Sequence, residues 1–107
     1  MFGISENIWN MIRNIFRDYE SISEVVLYGS RALETNRNFS DIDLTVKGHG
    51  ITHNEMCEII GRLDDLLLPY EIDLSVFNEL KNKKLIDHIM RVGKTIYTSE
   101  KVTNAQI

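Results

Sequence analysis

The stretch "VVLYGSRALETNRNFSDIDLTV", residues 25–46, decides the fold of this chain. It begins with a short run of β-branched and aromatic residues, continues through the pair Gly29 and Ser30, and ends with an alternation of polar and apolar residues from Asp41. A short apolar run stopped by a glycine is typical of a buried strand, and strict alternation is typical of a strand with one polar face. We therefore predict two strands, with Ser30 capping a short helical turn after the first.

Outside this stretch the apolar residues follow the same two periodicities. Helical spacing is present in residues 4–19, 56–67 and 80–91, and the second of these segments starts after a capping box and ends before the single proline. Residues 70–77 alternate as a third strand, and residues 95–97 predict a short fourth one. The alternating order of helices and strands predicts an α/β (α+β) fold with one small sheet flanked by helices.

The helical spacing also predicts which side chains are buried. The expected buried stripes are Ile4, Ile8, Met11, Ile12, Ile15, Phe16 and Tyr19 in the first helix, Met56, Ile59, Ile60, Leu63, Leu66 and Leu67 in the second, and Leu85, Ile86, Ile89 and Met90 in the third. The single cysteine, Cys57, has no disulfide partner and is expected to be a buried small hydrophobe.

Length and charge exclude several classes of protein. With 107 residues the chain is expected to form one domain over residues 1–107, with a frayed tail over residues 99–107. The net charge of −4 argues against a general nucleic-acid binder. No apolar run reaches the roughly 20 residues of a membrane span, and the first residues lack the pattern of a secretion signal, so we expect a cytoplasmic protein without a membrane partner.

The aspartates of the opening stretch carry the candidate chemistry. Asp41 and Asp43 point to the same face of a strand, with Cα atoms roughly 6.5 Å apart, and two such carboxylates repel each other unless a cation lies between them. Asp73 lies on the polar face of the third predicted strand and can join them if the strands are neighbours, with Glu71 as the competing residue. Three carboxylates can hold two Mg²⁺ ions for displacement at phosphorus, and the turn at Gly29 and Ser30 can bind a phosphate.

The spacing of Gly-Ser, ten residues and Asp-x-Asp resembles the DNA polymerase beta-like nucleotidyltransferase superfamily. More specifically, "GSRA" at residues 29–32 and "SDIDL" at residues 40–44 resemble the minimal nucleotidyltransferase (MNT) domains, which include MntA-type antitoxins and other two-component subunits. The resemblance implies a mixed sheet with the active site on one edge. It implies nucleotide binding by Gly29, Ser30 and Arg31, where an exposed salt bridge is the alternative for Arg31. The metal ligands and catalytic residues that it implies are Asp41, Asp43 and Asp73.

The sequence departs from the family pattern at Leu33 and Glu34, where many relatives have Arg-Gly. The three histidines, His49, His53 and His88, show no ligand spacing with the carboxylates and are interpreted as loop or helix-surface residues.

The resemblance implies a transferase that moves an NMP, AMP from ATP, to an acceptor hydroxyl with release of pyrophosphate. Because the chain is short, the acceptor side is expected from a second chain, a helical HEPN-type protein of a toxin–antitoxin pair in a hetero-oligomer. One alternative is a catalytically weak nucleotide-binding module that acts by complex formation. Another is a small-molecule (antibiotic-type) nucleotidyltransferase subunit, which requires a homodimer.

Overall fold

The computed structural model describes residues 2–33 and 41–99. These residues form three helices and a four-stranded sheet, which confirms the predicted α/β (α+β) class. In chain order the elements are α1 (Glu6–Arg17), β1 (Ile22–Tyr28), β2 (Ile42–Gly48), α2 (His53–Asp64), β3 (Ile72–Val76), a single 3₁₀ turn (Phe77–Glu79), α3 (Lys83–Val92) and β4 (Lys94–Thr98). None of the helices in these residues is long and apolar enough to cross a membrane.

The sheet is mixed and has the strand order β3-β2-β1-β4. Strand β1 pairs antiparallel with both β2 and β4, whereas β2 pairs parallel with β3. A parallel pair needs a crossover connection, and α2 provides it. This topology places the two predicted aspartate-bearing strands next to each other.

The two faces of the sheet are covered differently. Helices α1 and α2 pack on one face and enclose the main core, in which Val25, Leu27 and Leu44 are completely buried. Helix α3 packs on the other face through Ile89, which contacts Val26 and Tyr28 in a smaller cluster. We call this second face, which carries Tyr28, Asp43, Thr45, Asp73 and Ser75, the site face. On β2 the apolar residues Ile42, Leu44 and Val46 point to the main core, so the two-residue period leaves Asp43 and Thr45 on the site face.

The helix starts follow the capping chemistry in the sequence. Ser5 caps α1, Asn82 caps α3, and Thr52 forms the predicted capping box with Glu55 at the start of α2. Gly93 ends α3 as predicted. After β1 the chain forms one turn in which the N–H of Leu33 donates to the carbonyl oxygen of Gly29 at 3.3 Å. The continuation of that turn at Glu34 lies outside the described residues.

The predicted end of α2 is wrong. The helix ends at Asp64, and Leu67 has a left-handed backbone with φ of 53° and a side chain that is 88% exposed. The N–H groups of Leu66 and Leu67 donate to residues three positions earlier, which tightens and closes the last turn. Pro69 restricts only the residue before it, so it could not reveal this earlier end.

Several predicted core positions are also wrong. Ile60 is 41% exposed and Met90 is 73% exposed, while Ile59, Leu63 and Ile89 are buried as predicted. Met11 is 40% exposed, whereas the neighbouring stripe residues Ile12 and Phe16 are buried. The sheet covers a narrower arc of each helix than the apolar residues occupy.

Two single residues differ from expectation. Trp9, which the periodicity did not select, is fully buried and is the largest side chain of the core. Cys57 is exposed on α2, with Sγ 3.4 Å from Nε2 of His53, so the prediction of burial is wrong. Of the expected tail, only Ser99 is described, and its N–H donates to the carbonyl oxygen of Ser23 at 2.8 Å.

Candidate functional site

The predicted carboxylates come together at one end of the β2–β3 pair. Asp43 and Asp73 are direct partners in the parallel register and therefore lie side by side on the site face. Asp41 immediately precedes β2 and is exposed, as is Asp73, whereas Asp43 is half-buried. The strands are thus neighbours, which is the condition for the three carboxylates to act as one site.

Gly29 lies directly against Asp43. Its φ is +78°, and a Cβ atom at this position would be 2.4 Å from Oδ2 of Asp43. Tyr28 pairs with Asp43 between the antiparallel strands β1 and β2. Gly29, where the turn begins, therefore lies one residue beyond the strand position opposite Asp43. Only a glycine allows both the left-handed backbone and the close approach. Ser30 follows and is exposed at the surface of the turn.

The electrostatic environment of the site disfavours the ionised form of Asp43. Partial burial raises the pKa of its carboxyl above the usual range, and the negative charges of Asp73 and Asp41 raise it further, against a smaller opposing effect of His88. A cation between the carboxylates would relieve both effects, because it replaces lost hydration and neutralises the repulsion.

A polar network lies beside the carboxylates on the site face. The hydroxyl of Ser75 donates to Oγ1 of Thr45 at 3.0 Å and is also hydrogen-bonded to Tyr28. Burial raises the pKa of the Tyr28 hydroxyl, and the charges of Asp43 and Asp73 act in the same direction, while the bond with Ser75 lowers it. Tyr28 is therefore an uncharged hydrogen-bonding group next to the carboxylates.

This network was not predicted from the sequence, although the spacing of its residues contains a signal. Thr45 follows Asp43 by two residues and Ser75 follows Asp73 by two residues, so the two-residue period places all four on one face.

The donor set fits a hard divalent cation in its chemistry. Carboxylate oxygens are the ligands that Mg²⁺ prefers, and Asp43 and Asp73 present them from adjacent positions of two strands. Across residues 2–33 and 41–99, no group of three His, Cys, Asp or Glu side chains has the arrangement of a metal site. Asp73 and its competitor Glu71 are both exposed, as is Asp41. The ligand set Asp41, Asp43 and Asp73 therefore stays a prediction.

Arg31 lies in the interior and not at the surface. Its side chain is 1% exposed, Nη1 donates to the carbonyl oxygen of Phe2 at 3.0 Å, and its Cζ lies 4.7 Å from the centre of the Tyr70 ring. The alternative of an exposed salt bridge is therefore wrong. Direct phosphate contact by Arg31 stays a prediction. Its burial instead favours a structural role, in which its contacts with Phe2 and Tyr70 hold the turn in place.

We expect Arg31→Met to lower the free energy of unfolding by about 2 kcal/mol, because it leaves a carbonyl without its donor and removes the cation–π contact. Urea unfolding of the two proteins measures the difference. Arg91→Met is the matched control, since it removes only an exposed pair with Asp87 on α3 and should cost at most about 0.5 kcal/mol. Equal stability of the two variants, together with weakened ATP binding in Arg31→Met, would show that Arg31 contacts phosphate.

Three solved structures with a similar fold come from toxin–antitoxin systems. A toxin–antitoxin complex with AMP-PNP aligns with a TM-score of 0.69 and 21% identity over 91% of this chain and 78% of that chain. The tri-AMPylated HEPN toxin of Shewanella oneidensis in complex with its MNT antitoxin aligns with a TM-score of 0.66 and 18% identity over 95% and 79%. The MntA-HepT pair aligns with a TM-score of 0.65 and 18% identity over 94% and 79%. At these identities the likeness concerns the fold.

Sequence comparison gives the family. No curated protein matches the chain. The sequence profile of the polymerase beta nucleotidyltransferase family matches residues 10–102, a range that includes Gly29, Asp43 and Asp73. This match confirms the resemblance suggested by the Gly-Ser and Asp-x-Asp spacing: the chain belongs to the polymerase beta nucleotidyltransferase family.

Proposed function

We propose that this chain is a metal-dependent nucleotidyltransferase that moves AMP from ATP to an acceptor hydroxyl on, or presented by, a helical HEPN-type partner protein. The observation that carries the proposal is the placement of Asp43 beside Asp73 with the backbone of Gly29 packed against it. The fold likeness to a toxin–antitoxin complex with AMP-PNP, and to a complex with an AMPylated HEPN toxin, supports the choice of nucleotide and partner.

Each site residue has a proposed task. Asp41, Asp43 and Asp73 would hold two Mg²⁺ ions, which supply positive charge to the entering and leaving oxygens at the α-phosphorus. The turn at Gly29 and Ser30 would bind the triphosphate, because a glycine turn lets the backbone approach a ligand closely and Ser30 adds an exposed hydroxyl.

The proposed reaction is an in-line displacement. The oxygen of the acceptor hydroxyl forms a bond to the α-phosphorus, and its proton passes to the carboxylate of Asp73, which is exposed. The bond between the α-phosphorus and the oxygen that bridges to the β-phosphorus breaks, and its electron pair leaves with pyrophosphate. The products are an NMP ester of the acceptor and pyrophosphate.

The partner would complete the acceptor side of the site. Asp73 is on β3, which is an edge strand of the described sheet, so a second protein can reach it without disturbing the core. A homodimer is the alternative assembly and would fit a small-molecule acceptor.

The test is transfer of label from α-labelled ATP to the partner in the presence of Mg²⁺. We expect labelling by the wild type and a loss of at least about a hundredfold with Asp41→Asn, because the variant removes a charged ligand at an exposed position and should not disturb folding. Asp87→Asn removes the same charge from an exposed ion pair with Arg91 on α3, and this variant should label the partner as the wild type does. Equal labelling by wild type and Asp41→Asn would contradict the assignment of the site.

Calorimetric titration with ATP and Mg²⁺ separates the two classes of function. Binding together with transfer supports the transferase. Binding by the wild type without transfer to any partner would instead favour a module that acts by complex formation.

A further inference from the structure

His88 connects α3 to the turn that carries Gly29. The backbone N–H of Gly29 donates to Nε2 of His88 at 3.1 Å, although the two residues are 59 positions apart in the sequence. The imidazole must accept at Nε2, so its proton is on Nδ1 in this contact. This histidine was interpreted from the sequence as a helix-surface residue, and the structure shows that it is half-buried against the turn.

The position of the His88 ring is fixed by its surroundings. The ring meets that of Tyr28 edge to face, with centres 6.4 Å apart and an angle of 79° between planes. The next residue, Ile89, is 3% exposed and packs on Val26 and Tyr28, which holds this part of α3 on β1. A ring held in this way offers its acceptor nitrogen at a defined point beside the strand end.

Gly29, which donates this hydrogen bond, also lies directly against the carboxylate of Asp43. Gly29 has a left-handed backbone, and a Cβ atom on it would lie 2.4 Å from Oδ2 of Asp43. A small rotation of its peptide would therefore move the turn relative to the carboxylate. The single described turn that follows, closed by the Leu33 N–H on the Gly29 carbonyl, takes its direction from the same residue.

We propose that His88 is a positioning residue: its Nε2 accepts the Gly29 N–H and thereby fixes the Gly-Ser turn against Asp43 in the orientation that binds the nucleotide phosphates. This inference rests on the proposed function, since it takes the nucleotide as the ligand of the turn. It also means that the Gly29 N–H is engaged within the protein, so phosphate recognition at the turn falls to groups after Gly29, beginning with Ser30.

Two substitutions of His88 separate its role as a hydrogen-bond acceptor from the packing of its side chain. His88→Gln can place an amide oxygen close to the position of Nε2 and keep the hydrogen bond, whereas His88→Leu keeps an apolar side chain on the helix and removes the acceptor. Met90→Leu is the control, because Met90 is on the same helix and is 73% exposed.

The first measurement is hydrogen exchange of the Gly29 amide in the protein without nucleotide. We expect exchange about tenfold faster in His88→Leu and close to the wild-type rate in His88→Gln, in line with the loss of one hydrogen bond. The amide of Gly93, which donates to Ile89 at 2.8 Å, reports the stability of α3 and corrects for any general loosening. Gly29 protection in His88→Leu equal to that in the wild type would overturn the inference.

The second measurement is the dissociation constant of ATP with Mg²⁺, which we expect to rise about tenfold in His88→Leu and to be restored in His88→Gln. Normal ATP affinity in His88→Leu, with a wild type that binds ATP, would overturn the positioning role. A wild type that binds no ATP would contradict the proposed function, and the exchange measurement would still decide whether His88 holds the turn. If His88→Leu does not fold, a scalar coupling between the Gly29 amide and Nε2 in the wild type tests the contact, and its absence would overturn the inference.

Discussion

Asp43→Asn is expected to abolish nucleotidyl transfer and, in the same protein, to increase the free energy of unfolding at neutral pH. The loss of transfer should be on the order of a thousandfold, because the variant removes the central carboxylate of the proposed metal site. The gain in stability should be below about 1 kcal/mol, since the substitution removes a charge that burial and two neighbouring carboxylates disfavour, while solvent screens part of that effect at this half-buried carboxyl.

The direction of the pKa shift of Asp43 determines how the stability gain in Asp43→Asn depends on pH. The pKa of Asp43 is higher in the folded protein than in the unfolded chain, so the folded protein holds this proton more tightly. Stability from this group is therefore fully present below the unfolded pKa and is lost as the pH rises through the folded pKa. The advantage of Asp43→Asn should accordingly be largest above the folded pKa and should shrink as the pH falls through it.

Thermal melting without divalent cations at neutral and acidic pH measures the effect. Asp87→Asn is the control, because loss of its exposed pair with Arg91 should lower stability by about 0.3–0.5 kcal/mol and leave transfer intact. A variant Asp43→Asn that is less stable than the wild type at neutral pH would show that the carboxylate is compensated within the chain, against the account of an electrostatically strained site.

Gly29→Ala is expected to eliminate transfer and to destabilise the chain more than the same change at a comparable glycine. The new Cβ would lie 2.4 Å from Oδ2 of Asp43, a distance that forces the carboxylate or the turn to move. The backbone φ of +78° adds roughly 1–2 kcal/mol of strain for any residue with a Cβ.

Gly50→Ala separates the effect of backbone strain from the effect of the contact with Asp43. Gly50 has a similar φ of +68°, but a Cβ there would meet nothing within 4 Å, so this variant carries only the backbone strain and should transfer AMP normally while folded. The difference between the two variants in urea unfolding measures the contact with Asp43. Equal stability and equal transfer would mean that the turn is not packed against the carboxylate.

Much of the site follows from local sequence, because it depends on short-range geometry. The two-residue period of a strand puts Asp43 and Thr45 on one face, and a glycine after a buried strand marks the turn. The capping box at Thr52 and the end of α3 at Gly93 are likewise local, and both are confirmed.

The remaining features depend on contacts between distant parts of the chain. The parallel pairing of β2 with β3 brings Asp73 to Asp43, and α3 brings His88 to Gly29. The spacing of apolar residues along the sequence cannot predict either contact. Burial of Arg31 against Phe2 and Tyr70 contradicts the usual exposure of arginine and depends on three separate segments meeting. The exposure of Met90 has a similar cause, because the sheet covers only part of the apolar face of α3.

The most direct test of the central claim is to compare α-labelled with γ-labelled ATP as donor to the proposed HEPN-type partner, in the presence of Mg²⁺ and this chain. Transfer of a nucleotidyl group predicts that the partner retains the α label, that the γ label leaves in pyrophosphate, and that Asp43→Asn eliminates both signals. Retention of the γ label on the partner would show transfer of a phosphoryl group instead and would contradict the account.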